Sequence, residues 1–205
     1  MPPIVYAPLA QTGLLRFSGA DAQTFLQGQL SCDVAALQPL RATHGSYNTP
    51  KGRMLASFVL WRAGADYFMQ LPHALCEPIR KRLSMYILRS KVQAADVSDK
   101  YALIGLLDAK APGAIDLPAT PMTLSETAGG WALRLDARRV EIIVPATQAA
   151  EIGELLETSP NTVAGRYRYG LQKIKSRLEG IIYEKDEPSD ASVACLAAAP
   201  AGLGA

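Results

Sequence analysis

The residues of this 205-residue chain that could do chemistry are few and widely spaced. Its cysteines, Cys32, Cys76 and Cys195, form no CxxC pair, and its two histidines, His44 and His73, lie in different segments. A zinc site or a thioredoxin-type motif needs such residues at short, regular spacing. Two isolated histidines also leave little material for a catalytic triad. The sequence therefore predicts no metal site and no set of catalytic residues.

Cys32 follows a predicted helix, which makes it the thiol to consider as a nucleophile. A reactive cysteine needs a nearby positive charge that lowers the pKa of the thiol, and the neighbours of Cys32 include no basic residue. We therefore expect Cys32 to be a half-buried structural thiol.

Lys51 and Arg53 flank Gly52 in a segment with the composition of a turn. A glycine suits a turn position that needs a positive φ or a close approach of the backbone. The two cations are either solvated side chains of the turn or flexible groups that reach an anionic ligand. The sequence leaves both interpretations open.

Composition places the chain among ordinary globular proteins. It is 49% hydrophobic and 20% charged, with a formal net charge of +2, and these values do not by themselves indicate nucleic-acid or membrane binding. No segment has the ~18–20 consecutive apolar residues of a membrane span, and the first ten residues do not resemble a secretory signal. We therefore expect a cytoplasmic, reducing environment.

A first helix is predicted from about residue 20 to residue 31, because apolar residues recur there at helical spacing. Asp21 stands at its start, where a carboxylate can accept hydrogen bonds from free backbone N–H groups and suits the helix dipole. We interpret Asp21 as a helix cap.

Three strands are predicted after this helix, at residues 44–49, 54–61 and 67–71. Residues 54–61 are a β-rich apolar run, and short turn sequences separate the three strands. Strands joined in this way form an antiparallel meander.

A second helix is predicted over residues 74–88, with cations on its outer face and beyond its end. These cations either form a solvated surface near the helix C-terminus, where the dipole favours positive charge, or bind an anion. The set consists of Arg80, Lys81, Arg82, Arg89 and Lys91.

The rest of the pattern mixes further strands with one more helix. The predicted strands cover residues 91–97 and 101–107 and a hairpin of 131–135 with 140–144, and the helix covers 146–156. Helices combined with antiparallel strands indicate the α+β fold class.

The composition changes near residue 160, so we predict a main domain over residues 1–160 and two further segments. Residues 161–187 are basic and predicted to be helical, and residues 188–205 are predicted to be a disordered tail. Tyrosines interleaved with arginines between 166 and 177 could stack on bases. We favour a docking helix with a solvated outer face, so direct nucleic-acid binding is not expected.

Two stretches together resemble a known family. Residues 17–22 (FSGADA) and 25–34 (FLQGQLSCDV) are similar to the opening of YgfZ-type folate-binding proteins, a branch of the glycine-cleavage T-protein superfamily. Residues 48–54 (NTPKGRM) resemble the turn and hairpin of the same family, and residues 88–92 (LRSKV) add a third match. The resemblance covers roughly residues 14–97 and continues more weakly to residue 156.

The resemblance implies a T-protein-like folate-binding fold with antiparallel sheets, flanking helices and ferredoxin-like subdomains around a channel. It implies tetrahydrofolate or a folate derivative as the cofactor, since aromatic and apolar walls suit the pterin and basic groups suit the glutamate carboxylates. The residues we expect to contact this ligand are Tyr47, Asn48, Lys51, Arg53, Trp61 and Arg89.

Two departures from the family limit what the resemblance implies. The strand that carries an acidic residue in the aminomethyltransferases has no carboxylate here, because residues 54–57 are Met, Leu, Ala and Ser. A Lys-Gly-Cys-Tyr-x-Gly-Gln-Glu motif, whose cysteine is the signature of YgfZ-type proteins, is missing from this sequence. We therefore expect no aminomethyltransferase activity and no C-terminal β-barrel in this chain.

The leading interpretation is a folate-binding protein that supports iron–sulfur cluster maintenance and tRNA modification, with iron–sulfur pathway proteins as partners. One alternative is a tetrahydrofolate-dependent aminomethyltransferase or demethylase. Another is a structural or interaction module that has lost its ligand site. A shortened member that exposes its channel wall could also form a homodimer.

Overall fold

Alternating apolar residues build two antiparallel sheets, and two short helices cover one of them. The computed structural model describes residues 5–107 and 116–149, all within the unit that spans Met1–Ala164. The strands are β1 (Val5–Pro8), β2 (Thr12–Ser18), β3 (Ala42–Asn48), β4 (Met54–Ala63), β5 (Asp66–Pro72), β6 (Gln93–Asp96), β7 (Tyr101–Leu107), β8 (Thr123–Thr127), β9 (Gly130–Arg134) and β10 (Arg139–Pro145). The helices are α1 (Ala22–Gln29) and α2 (His73–Ser84), with 3₁₀ turns at Ser98–Lys100 and Ala146–Gln148.

Sheet I has the strand order β3-β4-β5-β2-β6, and all of its neighbouring strands are antiparallel. Helix α1 joins β2 to β3, and α2 joins β5 to β6. Without the edge strand β3, this connectivity is the βαββαβ arrangement of a ferredoxin-like fold. The expected ferredoxin-like subdomain is therefore present.

Sheet II has the strand order β1-β7-β10-β9-β8 and is also antiparallel. Strands β8 and β9 form a tight hairpin, and β9 and β10 form the hairpin predicted from the sequence. The ten described strands form two open sheets, with no closed barrel among them.

Sheet I packs against other elements on both faces. On one face, side chains such as Phe58 and Leu60 of β4 pack with Phe25 and Leu26 of α1 and with the apolar face of α2. On the other face, the next residue of β4, Trp61, packs against sheet II. The period-2 alternation of a strand explains how neighbouring residues reach opposite layers.

Four aromatic rings join the two sheets. Trp61 and Phe68 come from sheet I, and Tyr101 and Trp131 come from sheet II. The ring centroids of Phe68 and Trp131 are 4.7 Å apart, and those of Tyr101 and Trp131 are 5.7 Å apart. Such pairs add about 0.5–1.5 kcal/mol each beyond the area that they bury.

The antiparallel meander predicted from residue 44 to residue 71 is confirmed as β3-β4-β5. The sequence patterns missed β1, a four-residue strand that ends in a proline, and β8, whose sequence TLSET has little apolar character. Only a 3₁₀ turn, Ala146–Gln148, is described at the start of the helix predicted over 146–156. The domain boundary at residue 160 and the segments 161–187 and 188–205 lie outside the described residues.

Helix α2 ends at Ser84, four residues before its predicted end. Residues 85–90 form turns instead, and Leu88 takes a positive φ of 41°. The chain reverses here so that Lys91 reaches the start of α1, where its carbonyl oxygen meets the backbone N–H of Asp21.

Asp21 stands at the N-cap position of α1, as predicted, but it does not cap the helix through its side chain. Its side chain makes no capping hydrogen bond to α1. The Oδ2 atom of Asp21 accepts a hydrogen bond from the backbone N–H of Lys91 at 2.7 Å instead. Asp21 therefore ties the start of α1 to the segment after α2, a contact between residues 70 positions apart.

Gly19 is required by the same contact. Its φ is +113°, and a Cβ atom at this position would overlap the carbonyl oxygen of Lys91. Gly19→Ala is expected to lower the free energy of unfolding by roughly 2 kcal/mol or more, because both the backbone conformation and the close approach exclude a side chain. Denaturant unfolding followed by circular dichroism measures this change.

Gly28→Ala is the matched control, because Gly28 lies in α1 with open space around its Cα. This substitution is expected to raise the free energy of unfolding by up to ~1 kcal/mol through helix propensity. Equal effects of the two substitutions would contradict the assigned role of Gly19.

Candidate functional site

An open pocket of about 480 Å³ lies on sheet I. Strands β2, β3, β4 and β5 all contribute to its lining. Its apolar part comes from Phe58, Val59, Leu71 and Pro72, and its polar part from Gln11, Thr12, His44, Ser57 and Gln70, with Gly45 between them. An apolar concave surface with a few polar groups is the usual form of a small-molecule site.

Gln70 is the buried polar residue of this lining. It is 8% exposed and lies in the middle of β5. Its Nε2 donates a hydrogen bond at 2.6 Å to Oε2 of Glu141, which is also 8% exposed and belongs to β10 of sheet II. The Oε1 atom of Gln70 is buried and has no hydrogen-bond partner among the described residues. A buried carbonyl oxygen without a hydrogen-bond partner favours the binding of a ligand or water that can donate a hydrogen bond to it.

Burial raises the pKa of the Glu141 carboxyl above its ordinary value of 4.5, because the charged form loses its solvation. The hydrogen bond from Gln70 and the positive charge of Arg139 lower this pKa and offset the effect of burial only in part. Glu141 is therefore a carboxyl group whose charged form is costly in the folded protein.

The structure brings three of the expected ligand contacts together at one end of sheet I. Asn48, Lys51 and Arg53 are exposed on the β3–β4 hairpin. Gly52 has a φ of +79°, as the sequence indicated, and the Arg53 backbone N–H donates to Oγ1 of Thr49 at 3.1 Å. Ser57 of the pocket lies three residues along β4 from Met54, or about 10 Å at the rise of a strand.

Tyr47 and Trp61, expected as stacking walls, are core residues. Tyr47 is 3% exposed and packs in the cluster under the helices, and Trp61 is 0% exposed and packs against sheet II. They point to opposite faces of sheet I, so they do not line one channel together. Their role in binding remains a prediction, and neither ring is open to a ligand here.

Arg89 lies at the opposite end of sheet I from the hairpin. Asp21, which follows β2, bonds the backbone of Lys91, and Ser18 at the end of β2 pairs with Gln93. Thr12, at the other end of β2, pairs with Pro72 beside the pocket. Seven strand residues separate these two ends, roughly 20 Å, so Arg89 and the hairpin cations do not meet around one group.

The two described thiols show no sign of activation. Burial raises the pKa of Cys32 and of Cys76, in spite of hydrogen bonds that act in the other direction. Cys32 is half-buried, as predicted. In the described part of the chain, no three His, Cys, Asp or Glu side chains are grouped so that they could hold a metal ion. None of the helices described is long and apolar enough to cross a membrane.

Sequence reasoning missed Gln70 and Glu141. Each is a single polar residue within an otherwise apolar strand, Tyr67 to Leu71 and Val140 to Val144. That exception to the strand pattern was the available signal, because a buried polar group needs a partner. The partnership itself could not be deduced from the pattern, since the two residues are 71 positions apart.

Comparison with known proteins finds relatives but no matching family model. The tRNA-modifying protein YgfZ of Vibrio vulnificus is 28% identical over 165 residues, which are 78% of this chain and 49% of that protein. The protein of the same name from Photobacterium profundum is 29% identical over 164 residues, with the same two shares. The chain spans about half the length of the curated relatives it matches.

Among solved structures, the glycine cleavage system aminomethyltransferase T from Bartonella henselae superposes with a TM-score of 0.67. The match covers 75% of this chain and 45% of that one, at 16% sequence identity. Identity at this level supports the fold alone. The predicted T-protein-like α+β fold is confirmed.

Glu141→Gln is expected to stabilise the protein at neutral pH by roughly 1 kcal/mol or more, because it removes a charge that is costly to bury. The folded-state pKa of Glu141 is raised, so the wild type loses stability as pH rises from the ordinary glutamate pKa of 4.5 through the raised value. The advantage of the variant should therefore be smallest at low pH and largest at neutral pH, in unfolding curves measured at several pH values.

Glu126→Gln, at an exposed position on β8, is the control and should change stability little at any pH. An advantage of Glu141→Gln that does not depend on pH would show that Glu141 does not titrate as its burial requires.

Proposed function

We propose that this chain, which is similar to YgfZ proteins and has a T-protein-like fold, is a folate-binding protein without aminomethyltransferase activity. Tetrahydrofolate or a derivative would be its ligand. By analogy with relatives that are named tRNA-modifying proteins, it would support tRNA modification. From the resemblance of its sequence motifs, it would do so in the cytoplasm by supporting iron–sulfur cluster maintenance. Proteins of the iron–sulfur pathway would be its partners.

The observation that carries the proposal is the pocket on sheet I, whose lining includes Gln70, a residue with a buried and unpaired Oε1 atom. Its volume of about 480 Å³ lies within the ~300–1,000 Å³ of typical ligand pockets. Val59 and Pro72 offer apolar surface for a flat ring system. The residues present therefore fit the ring end of a folate.

The opposite end of a folate carries carboxylates, and the β3–β4 hairpin offers cations for them. Lys51 and Arg53 are exposed, and neither has an ion-pair partner in the described part of the chain. Arginine can hold a carboxylate through two parallel hydrogen bonds, and a lysine can act as a point charge. With Asn48, these residues would hold the glutamate moiety beside the pocket.

The absence of a carboxylate from the pocket supports a binding function over amine transfer. Ser57, the strand residue that faces the pocket at the end of the MLAS segment, cannot act as an acid at neutral pH. None of the described residues that line the pocket is Asp or Glu. The lining therefore offers no carboxylate as the general acid or base of amine transfer, although it contains His44.

The first test is calorimetric titration with tetrahydrofolate and 5-formyltetrahydrofolate. We expect micromolar binding by the wild type and a loss of about two- to fivefold in affinity for Lys51→Ala or Arg53→Ala, as for exposed charge pairs. Arg89→Ala removes the same charge at the other end of sheet I and measures whether contacts with the ligand extend that far.

Absence of binding at sub-millimolar ligand would rule out the folate-binding proposal and leave the chain as an interaction module. Turnover of an aminomethylated carrier protein with tetrahydrofolate would favour the one-carbon transferase alternative.

The cellular role is tested separately. Cells that lack this protein are expected to show reduced levels of those modified tRNA nucleosides whose synthesis needs iron–sulfur enzymes, measured by mass spectrometry of digested tRNA. The wild-type gene should restore them better than the Lys51→Ala/Arg53→Ala double variant. Unchanged nucleoside levels in the deletion strain would contradict the role in tRNA modification.

A further inference from the structure

Gln70 and Glu141 form a polar pair that the fold does not need. Phe68, on the same face of β5, is buried in the aromatic cluster, so an apolar residue at position 70 would fit the pattern of that strand. The pair instead leaves Oε1 of Gln70 buried and unpartnered among the described residues. Gln70 contributes to the lining of the pocket, but its oxygen is closed off from solvent, so a donor from the pocket reaches it only when the surrounding side chains move apart.

We propose that Gln70 is the specificity-determining residue of the pocket and that Glu141 positions it. The free amide oxygen of Gln70 accepts a hydrogen bond from a ring N–H or amino group of a flat heterocyclic ligand. This inference rests on the proposed function in taking the pterin ring of a folate as that heterocycle. It identifies the Gln70 amide oxygen as the atom that recognises the ring, and a hydrogen-bond donor as the group on the ring that is recognised.

The charge state of Glu141 decides which end of the amide is free. An ionised carboxylate can only accept, so it holds the NH₂ end of Gln70, at 2.6 Å, and leaves the oxygen free. A protonated carboxyl would donate to the amide oxygen, and the amide would turn by about 180° to leave its NH₂ end free. The site therefore selects a ligand edge with hydrogen-bond donors when Glu141 is ionised and one with acceptors when Glu141 is protonated.

Few charged groups compete with this arrangement. Arg139, two residues before Glu141 on β10, is the nearby positive charge. The residues paired with Glu141 in the neighbouring strands, Gly105 of β7 and Leu133 of β9, carry no charge. On sheet I, His44 lines the same pocket as Gln70 and is the titratable side chain in that lining.

Discrimination between ligands follows from the free-energy cost of leaving the Gln70 oxygen without a hydrogen-bond donor. A ligand without an N–H at this edge would displace water and leave the Gln70 oxygen without a donor, and buried sites reject such analogues strongly. The apolar walls contribute affinity for many flat rings, but they cannot distinguish the edges of those rings.

Gln70→Met tests the role of the amide with little change in side-chain volume. Three probes are titrated into each protein: 5-formyltetrahydrofolate, 6-hydroxymethylpterin, and p-aminobenzoylglutamate, which lacks the pterin. The substitution is expected to weaken binding of both pterin-containing probes by about 10- to 100-fold. Binding of p-aminobenzoylglutamate should be unchanged.

The outcomes separate this inference from the proposed function. If the wild type binds 5-formyltetrahydrofolate and Gln70→Met binds it equally well, the role of Gln70 is overturned and the folate proposal stands. The same conclusion follows if Gln70→Met loses p-aminobenzoylglutamate to the same extent as the pterins. If the wild type binds none of the probes, both proposals fail.

The pH profile tests the role of Glu141. Affinity of the wild type for 6-hydroxymethylpterin is expected to fall as pH decreases through the raised pKa of Glu141, and Glu141→Gln should flatten this profile. Glu141→Gln should also retain more affinity than Glu141→Met, because a second amide can still hold Gln70. A Glu141→Gln profile identical to that of the wild type would overturn the positioning role.

The double variant Gln70→Met/Glu141→Met keeps the inference testable if a single variant misfolds. Replacing both members of a buried polar pair by apolar residues is often neutral or stabilising. This variant should show a cooperative thermal transition, bind p-aminobenzoylglutamate and lose the pterin probe. Retention of pterin binding by the folded double variant would contradict the inference.

Discussion

The centre of sheet I, above all β5, is covered on both faces, and the rest of the described structure depends on this constraint. Its helix-facing side chains and the side chains that face sheet II alternate along β4, with Phe58 and Leu60 on one side and Trp61 on the other. A strand in this position must be apolar at nearly every residue, since both of its faces are removed from water. Any polar side chain placed there must have a partner.

Two long-range polar contacts satisfy this requirement in different ways. Asp21 uses its carboxylate to bind the backbone of Lys91, and Gly19 allows the chains to approach closely enough for this contact. Gln70 and Glu141 join the two sheets but leave one amide oxygen unpartnered among the described residues. The first contact is fully satisfied and structural, whereas the second retains unused hydrogen-bonding capacity beside a pocket.

The pocket and the hairpin divide the chemistry of the candidate site between the two ends of a long, flat ligand. The pocket offers apolar surface and one buried polar pair, and the hairpin offers Lys51 and Arg53 in solvent. A rigid sheet supports the first and a turn with a glycine of positive φ supports the second. The sheet would thus hold the groups that distinguish ring edges in fixed positions. The exposed side chains of Lys51 and Arg53 could adjust to bind the carboxylates.

The sequence by itself determined the α+β class, the meander and the hairpin of sheet II, because strand periodicity and turn residues are local signals. The glycine turn of the β3–β4 hairpin followed for the same reason. Only the tertiary structure decided that Tyr47 and Trp61 enter different core layers, that Arg89 lies far from Lys51, and that Gln70 meets Glu141. These facts depend on which strands become neighbours, and contacts between residues far apart in sequence leave no local pattern from which they could be predicted.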